Sequence, residues 1–141
     1  MSEQAVLFAS SAFYAAFAGR DLAAMDRIWA KDKPVSCTHP GWQPLRGRAE
    51  VMASWRSILT NAGAPRIRSR AEHATLYGDL AVVTCIEELA GERGQKEFLT
   101  ATNVFVRAGS LWVMVHHQAG PVNIDPRAID EEDDGAPPSM N

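Results

Sequence analysis

Apolar residues in the first half of the chain recur every three or four positions, and in the second half every two. From Glu3 to Ala18, Val6, Phe13 and Phe17 fall at helical spacing with Leu7 and Tyr14 beside them, which predicts an amphipathic helix stopped by Gly19. Asp21 is placed to cap a shorter helix in which Leu22, Met25, Ile28 and Trp29 repeat, and Pro34 ends it. Joined by a tight Gly-Arg turn, the two form a helical hairpin suited to lying across one sheet face. Val35 to His39 predicts a short strand, closed by the loop Pro40-Gly41-Trp42-Gln43-Pro44. A third helix is expected from Gly47 or Arg48 to Thr60, with Val51, Met52, Trp55, Ile58 and Leu59 on its apolar side and Gly63 as its stop.

Beyond that helix the alternation predicts four strands, over residues 66–77, 80–90, 97–107 and 111–119, with turns at Gly78-Asp79, Gly91 to Gly94 and Ala108-Gly109. The strongest pairing signal is the last: Phe98 to Arg107 and Ser110 to Ala119 are rich in β-branched and aromatic residues, so they read as a long antiparallel hairpin. Helices segregated from strands imply an α+β domain, with three N-terminal helices packed in the concave face of a curved, mostly antiparallel sheet. Such a sheet curls around its helices and leaves a concavity between the two layers. Any functional site is expected there.

Composition adds limits. At 141 residues the chain fits one domain, expected over 1–121, and a domain of that size buries about two-thirds of its unfolded surface without disulfides. Cys37 and Cys85 are accordingly expected as buried free thiols. The net charge of −3 is uneven: residues 123–141 carry −5 and the rest +2. The segment 122–141 lacks periodicity and is expected as a mobile acidic tail. No basic stripe suggests nucleic acid, since Arg66-Ile67-Arg68-Ser69-Arg70 alternates like the outer face of a strand. No run is long and apolar enough to span a bilayer, and the N-terminal residues lack a basic segment followed by an apolar core and a cleavage site, so the expected location is cytoplasmic. No His or carboxylate pair has metal-binding spacing, so neither metal nor cofactor is expected.

Candidate chemistry centres on His39, at the end of the short strand beside the Pro-Gly-Trp loop. Imidazole titrates near neutrality and can serve as a general base, or it can simply fix the loop by hydrogen bonding. His116 and His117 are adjacent on a strand and point to opposite faces. With Ala108-Gly109 as a two-residue turn, Asn103 pairs with Met114, Phe105 with Trp112 and Ala101 with His116, which turns His116 inward with Trp112 and Met114. A one-residue slip reverses that choice. Asn103 in mid-strand is unusual and reads either as a donor to an enolate oxygen or as a partner that orients a histidine. Glu87 and Glu88 also point to opposite faces, one a potential pocket acid and the other solvated. Tyr14, Phe17, Trp29 and Trp55 read as core or as ligand wall, and Trp42, in its loop, as a rim contact.

The residues Phe13 to Phe17, Gly19 to Met25, Trp29, Cys37 to Trp42, Leu45 to Arg48 and Leu111 to His117, in that order, resemble the SnoaL-like branch of the nuclear-transport-factor-2-like superfamily over roughly residues 4 to 120. The resemblance implies a cone-shaped α+β barrel, a homodimer formed through the outer sheet face, and a pocket at the wide end for a small apolar ligand. The superfamily includes ketosteroid isomerases, polyketide cyclases, dehydratases and non-catalytic proteins, so fold does not assign chemistry. The isomerase set of an acidic base, a Tyr and a protonated Asp cannot be carried over, because the short strand ends in His39 and the final strands offer Asn103, His116 and His117 without an Asp. If the protein is an enzyme, the expected reaction is cofactor-free isomerisation, cyclisation or dehydration, with His39 as base, Asn103 or His116 stabilising the oxyanion, and Trp42, Tyr14, Phe17, Trp55, Trp112 and Met114 around the ligand. The alternative is a non-catalytic binding or dimerisation module, marked by polar groups that satisfy one another and leave no cavity of roughly 300 Å³.

Overall fold

A computed structural model describes residues 2–129. Helix α1 (Glu3–Ala18) begins at Ser2, whose side chain accepts from the Ala5 amide, and ends where the Gly19 amide donates to the Ala15 carbonyl. The turn after it holds Arg20 at φ +54°, left-handed for a side-chain-bearing residue, and its guanidinium donates to the carbonyls of Asn61 and Ala64. That bond ties the first turn to the connection leaving the third helix. Helix α2 (Leu22–Ile28) is capped by Asp21, which accepts from the Ala24 amide at 3.0 Å. It stops one residue earlier than the spacing predicts, because Trp29 turns extended and bridges to Met114.

Strand β1 (Ser36–Thr38) pairs with the two-residue β2 (Leu45–Arg46), which lies between the expected loop and the expected helix and was assigned to no element in the sequence. Helix α3 (Arg48–Leu59) follows, and Arg48 clamps it to the end of α2 by donating to the Trp29 and Ala30 carbonyls and to the Asp26 carboxylate. The meander then runs through β3 (Arg66–Tyr77), β4 (Leu80–Ala90), β5 (Lys96–Ala108) and β6 (Leu111–Pro121). Together the strands form one curved, unclosed six-stranded sheet in the order β2-β1-β6-β5-β4-β3. All pairings are antiparallel except β1 with β6. The fold is thus α+β, as expected. Helix α1 lies across β3, β4 and β6, with α3 against β1, and the layer between holds Phe13, Met25, Trp29, Trp55, Val83, Phe105 and Met114.

Two bulges reset which residues face that layer. In β3 the register shifts between Arg70 and His73, with Ala71 at φ +55°, so Glu72 reaches inward to accept from Ser10 of α1 at 3.0 Å. In β6 the shift falls between the pairs Val104–His116 and Phe105–Met114, which leaves Val115 as the extra residue. The β5–β6 turn also differs from expectation. It is Gly109-Ser110, with Gly109 at φ +65°, so Ala108 pairs with Leu111. These two changes place Asn103 opposite His117 instead of Met114.

Beyond β6, residues 126–129 form one helical turn and Ile129 is 1% exposed. The first part of the segment expected as a mobile acidic tail thus holds one apolar side chain that finds cover. The acidic run Asp130 to Asp134 and the proline-rich end lie outside the described residues.

Candidate functional site

The inner face of β4 continues through Ala81, Val83 and Cys85 to Glu87, and the strand alternation that buries the first three also buries the carboxylate, at 1% exposure. Tyr14 reaches it from α1 and donates to Oε2 at 2.6 Å, with the Cys85 thiol 3.3 Å from the same hydroxyl. Asn103, across β5, gives its amide N–H to the Tyr14 hydroxyl at 3.0 Å, and its Oδ1 lies 2.5 Å from His117 Nδ1. The other nitrogen of His117 is 3.9 Å from Glu87 Oε2. Four side chains from α1, β4, β5 and β6 thus form a closed polar circuit inside the domain.

His39 stands at the end of the same layer. Its Nε2 is 2.9 Å from Ser54 Oγ of α3, and its ring meets the edges of Trp42 and Trp55 at 4.9 and 4.8 Å. The imidazoles of His39 and His117 are 6.2 Å apart, with Trp55 against both. Phe13 closes the other side, 5.0 Å from His117 and 5.5 Å from Trp55. Although buried, Trp55 Nε1, like Trp29 Nε1, has no hydrogen-bond acceptor, so two donors in this layer go unused.

Burial sets the protonation of the site. It pulls His39 down to about 4 and His117 down to about 3, so both rings are neutral at pH 7. Burial raises Glu87 to about 7, against the opposing pull of the Tyr14 hydrogen bond. Tyr14 lies well above its ordinary value, through burial and the Glu87 charge, and stays protonated. Cys37 and Cys85 are buried free thiols pushed up to about 12 by burial, so neither is a thiolate nucleophile. The arrangement offers two neutral imidazoles as proton acceptors and one carboxyl that gains or loses its proton near neutrality.

Of the expected residues, His39, Asn103, Tyr14, Trp55 and, more loosely, Phe17 converge here, Phe17 by its ring 4.9 Å from Trp55. His116 does not. The bulge at Val115 turns it away from the interior, where it is 2.7 Å from Ser36 Oγ, and turns His117 in. Met114 and Trp112 keep the inward phase, Met114 fully buried in the core and Trp112 beside a groove of about 540 Å³ with Phe8 and Leu111. Trp42 is 44% exposed on the rim. Glu88, expected in solvent, is 7% exposed and paired with Arg70 at 2.7 Å. Ser54 and the tie between Tyr14 and Glu87 went unread, although the phase of Ala81, Val83 and Cys85 already pointed Glu87 inward. The clefts of about 860 and 540 Å³ are lined by other residues, the larger by the Ala64–Arg66 and Leu89–Glu97 segments at the far end of the sheet. Among the described residues, no three His, Cys, Asp or Glu side chains are grouped to hold a metal ion, and no helix is long and apolar enough to cross a membrane.

A model of the SnoaL-like domain matches residues 6–123. The chain belongs to the SnoaL-like family. Among solved structures, a proposed dehydratase of the NTF2-like family from Streptomyces avermitilis is 33% identical with a TM-score of 0.75, over 86% of this chain and 96% of that one. A proposed calcium/calmodulin-dependent protein kinase type II association domain from Thiobacillus denitrificans is 40% identical with a TM-score of 0.75, over 82% and 93%. The CaMKII hub of S. rosetta is 20% identical with a TM-score of 0.69, over 84% and 95%, and shares the fold. No curated protein matches the chain. The two nearer relatives carry different descriptions, so family membership leaves the role of this SnoaL-like domain to its own interior.

Proposed function

We propose that this SnoaL-like protein binds a small apolar carbonyl compound in the layer between His39 and Glu87, and that the site is equipped for cofactor-free proton transfer. The observation that carries the proposal is the circuit Glu87–Tyr14–Asn103–His117, buried where apolar side chains of similar volume would serve stability at least as well. A carboxyl held near neutrality beside neutral imidazoles suits an acid and a base of one reaction. The unused Trp55 N–H supplies a donor for a ligand carbonyl oxygen. The dehydratase description of the Streptomyces relative supports the same class of chemistry. Trp42, half-exposed against His39, is the side chain whose displacement would admit a ligand.

A second reading, a non-catalytic assembly module, is favoured by the way the same circuit closes on itself and by the way Phe13, Trp55 and Trp42 fill the space around both histidines. The association-domain description of the Thiobacillus relative points the same way. Under either reading we expect a homodimer through the outer sheet face, where Val82, Ile86, Val104 and Val106 are only half-buried. A panel of cyclic enones and hydroxyketones, followed by calorimetry and by ultraviolet absorbance, separates the two. Binding and turnover by the wild-type chain, with turnover reduced about a hundredfold or more in Glu87→Gln, supports the enzyme. No binding by the wild type or by the opened Trp42→Ala variant leaves the assembly module.

A further inference from the structure

We infer that Ser54 and Asn103 are positioning residues that hold the two interior histidines in opposite tautomers, His39 with its proton on Nε2 and His117 with its proton on Nδ1. The reasoning is a count of protons along each hydrogen-bond chain. The Ser54 hydroxyl has one proton, and the Val51 carbonyl receives it at 2.6 Å. What Ser54 presents to His39 Nε2, 2.9 Å away, is therefore a lone pair, so Nε2 must donate. The Tyr14 hydroxyl likewise has one proton and gives it to Glu87 Oε2 at 2.6 Å. Its oxygen then accepts from the Asn103 amide, which turns Asn103 Oδ1 toward His117 and requires His117 Nδ1 to donate.

Each lock frees the other nitrogen. His39 keeps its lone pair on Nδ1, 3.9 Å from the weakly polar Cys37 thiol, which lies nearer to Nε2 at 3.6 Å. His117 keeps its lone pair on Nε2, 3.9 Å from Glu87 Oε2. Seen from a ligand, the two rings are acceptors only, and the Trp55 N–H is a spare donor. The matching chemical class is a neutral compound carrying both a hydroxyl, to donate, and a carbonyl, to accept. A carboxylate would find no cation among the groups named here. This ligand class rests on the binding proposal above, whereas the tautomers do not.

The test is a long-range proton–nitrogen correlation spectrum of the ¹⁵N-labelled full chain at pH 7.5, in which pyrrole-like and pyridine-like ring nitrogens are distinct. The wild type is expected to show a pyridine-like Nδ1 for His39 and a pyridine-like Nε2 for His117. Ser54→Ala should abolish the single tautomer of His39, a loss of preference on the order of tenfold, while the His117 signals stay in place as a control on folding. Ser54→Thr keeps the hydroxyl and should restore the preference. Asn103→Leu should do to His117 what Ser54→Ala does to His39. A pyridine-like Nε2 on His39 in the wild type, or Ser54→Ala signals unchanged from it, would overturn the inference, and the wild-type spectrum decides even if a variant does not fold. Single tautomers in a protein that binds nothing in the panel would remove the binding proposal and leave the locks standing. Mixed tautomers in a protein that does bind would do the opposite.

Discussion

Glu87 and Glu88 are neighbours in β4, both nearly inaccessible to solvent, and they are kept in opposite ways. Glu88, on the outer sheet face, is neutralised by charge: Arg70 at 2.7 Å and Lys96 at 3.7 Å. Glu87, on the inner face, receives only the hydroxyl proton of Tyr14, and its nearest potential cation, His117, is a neutral ring. The first arrangement secures a charge and the second secures a proton that can be given up near neutrality. Burial alone does not make a carboxylate functional; what it is buried against decides.

The strongest way to break the inner side is to open it. Trp55→Ala removes the indole that touches both histidines and Phe13, and a loss of about 3–5 kcal/mol in urea unfolding is expected. Replacing the acid sharpens the contrast. The folded pKa of Glu87 is raised by burial from 4.5 to about 7, so its contribution to stability is complete below 4.5 and is lost as pH rises through 7. Relative to wild type, Glu87→Gln should therefore gain on the order of 3 kcal/mol between pH 4.5 and 8, measured by denaturation at each pH. The histidines act in the other direction. His39 and His117 are lowered from 6.5 to about 4 and 3, so their contribution is complete above 6.5 and is lost as pH falls. Wild-type stability should peak near pH 6.5, and a monotonic rise through pH 8 would contradict a neutral Glu87.

On the outer side, Arg70→Met leaves Glu88 with Lys96 and should cost about 2 kcal/mol in urea unfolding. An exposed pair sets the floor. Asp79→Asn, opposite Arg107 at 2.8 Å, should change the free energy of urea unfolding by less than about 0.5 kcal/mol.

The sequence made the architecture readable because helices and strands here keep clean periods and end at Gly, Pro or a cap. Asn103 and His39 were also readable, each being a polar residue in an apolar pattern. The partner of Asn103 was not. Choosing between His116 and His117 needed a turn moved to Gly109-Ser110 and an extra residue at Val115, and neither leaves a mark in hydrophobic alternation when the residue added is valine. Ser54 was hidden differently: a serine on a helix signals nothing until the imidazole it meets is placed. Glu87 was within reach of the pattern, which put one of two adjacent carboxyls in the pocket, and the phase of Ala81, Val83 and Cys85 says which.

The Val115 bulge has a consequence for how such a chain changes over generations. A substitution at either histidine alters one ring, but a change that let β6 run through Val115 without the bulge would pair Val115 with Val104 and His116 with Asn103, and so present His116 to the interior with both histidines still encoded. Which imidazole is inside and which lies on the outer face is thus set by a bulge in one strand, an alteration of site chemistry made by register and not by residue type.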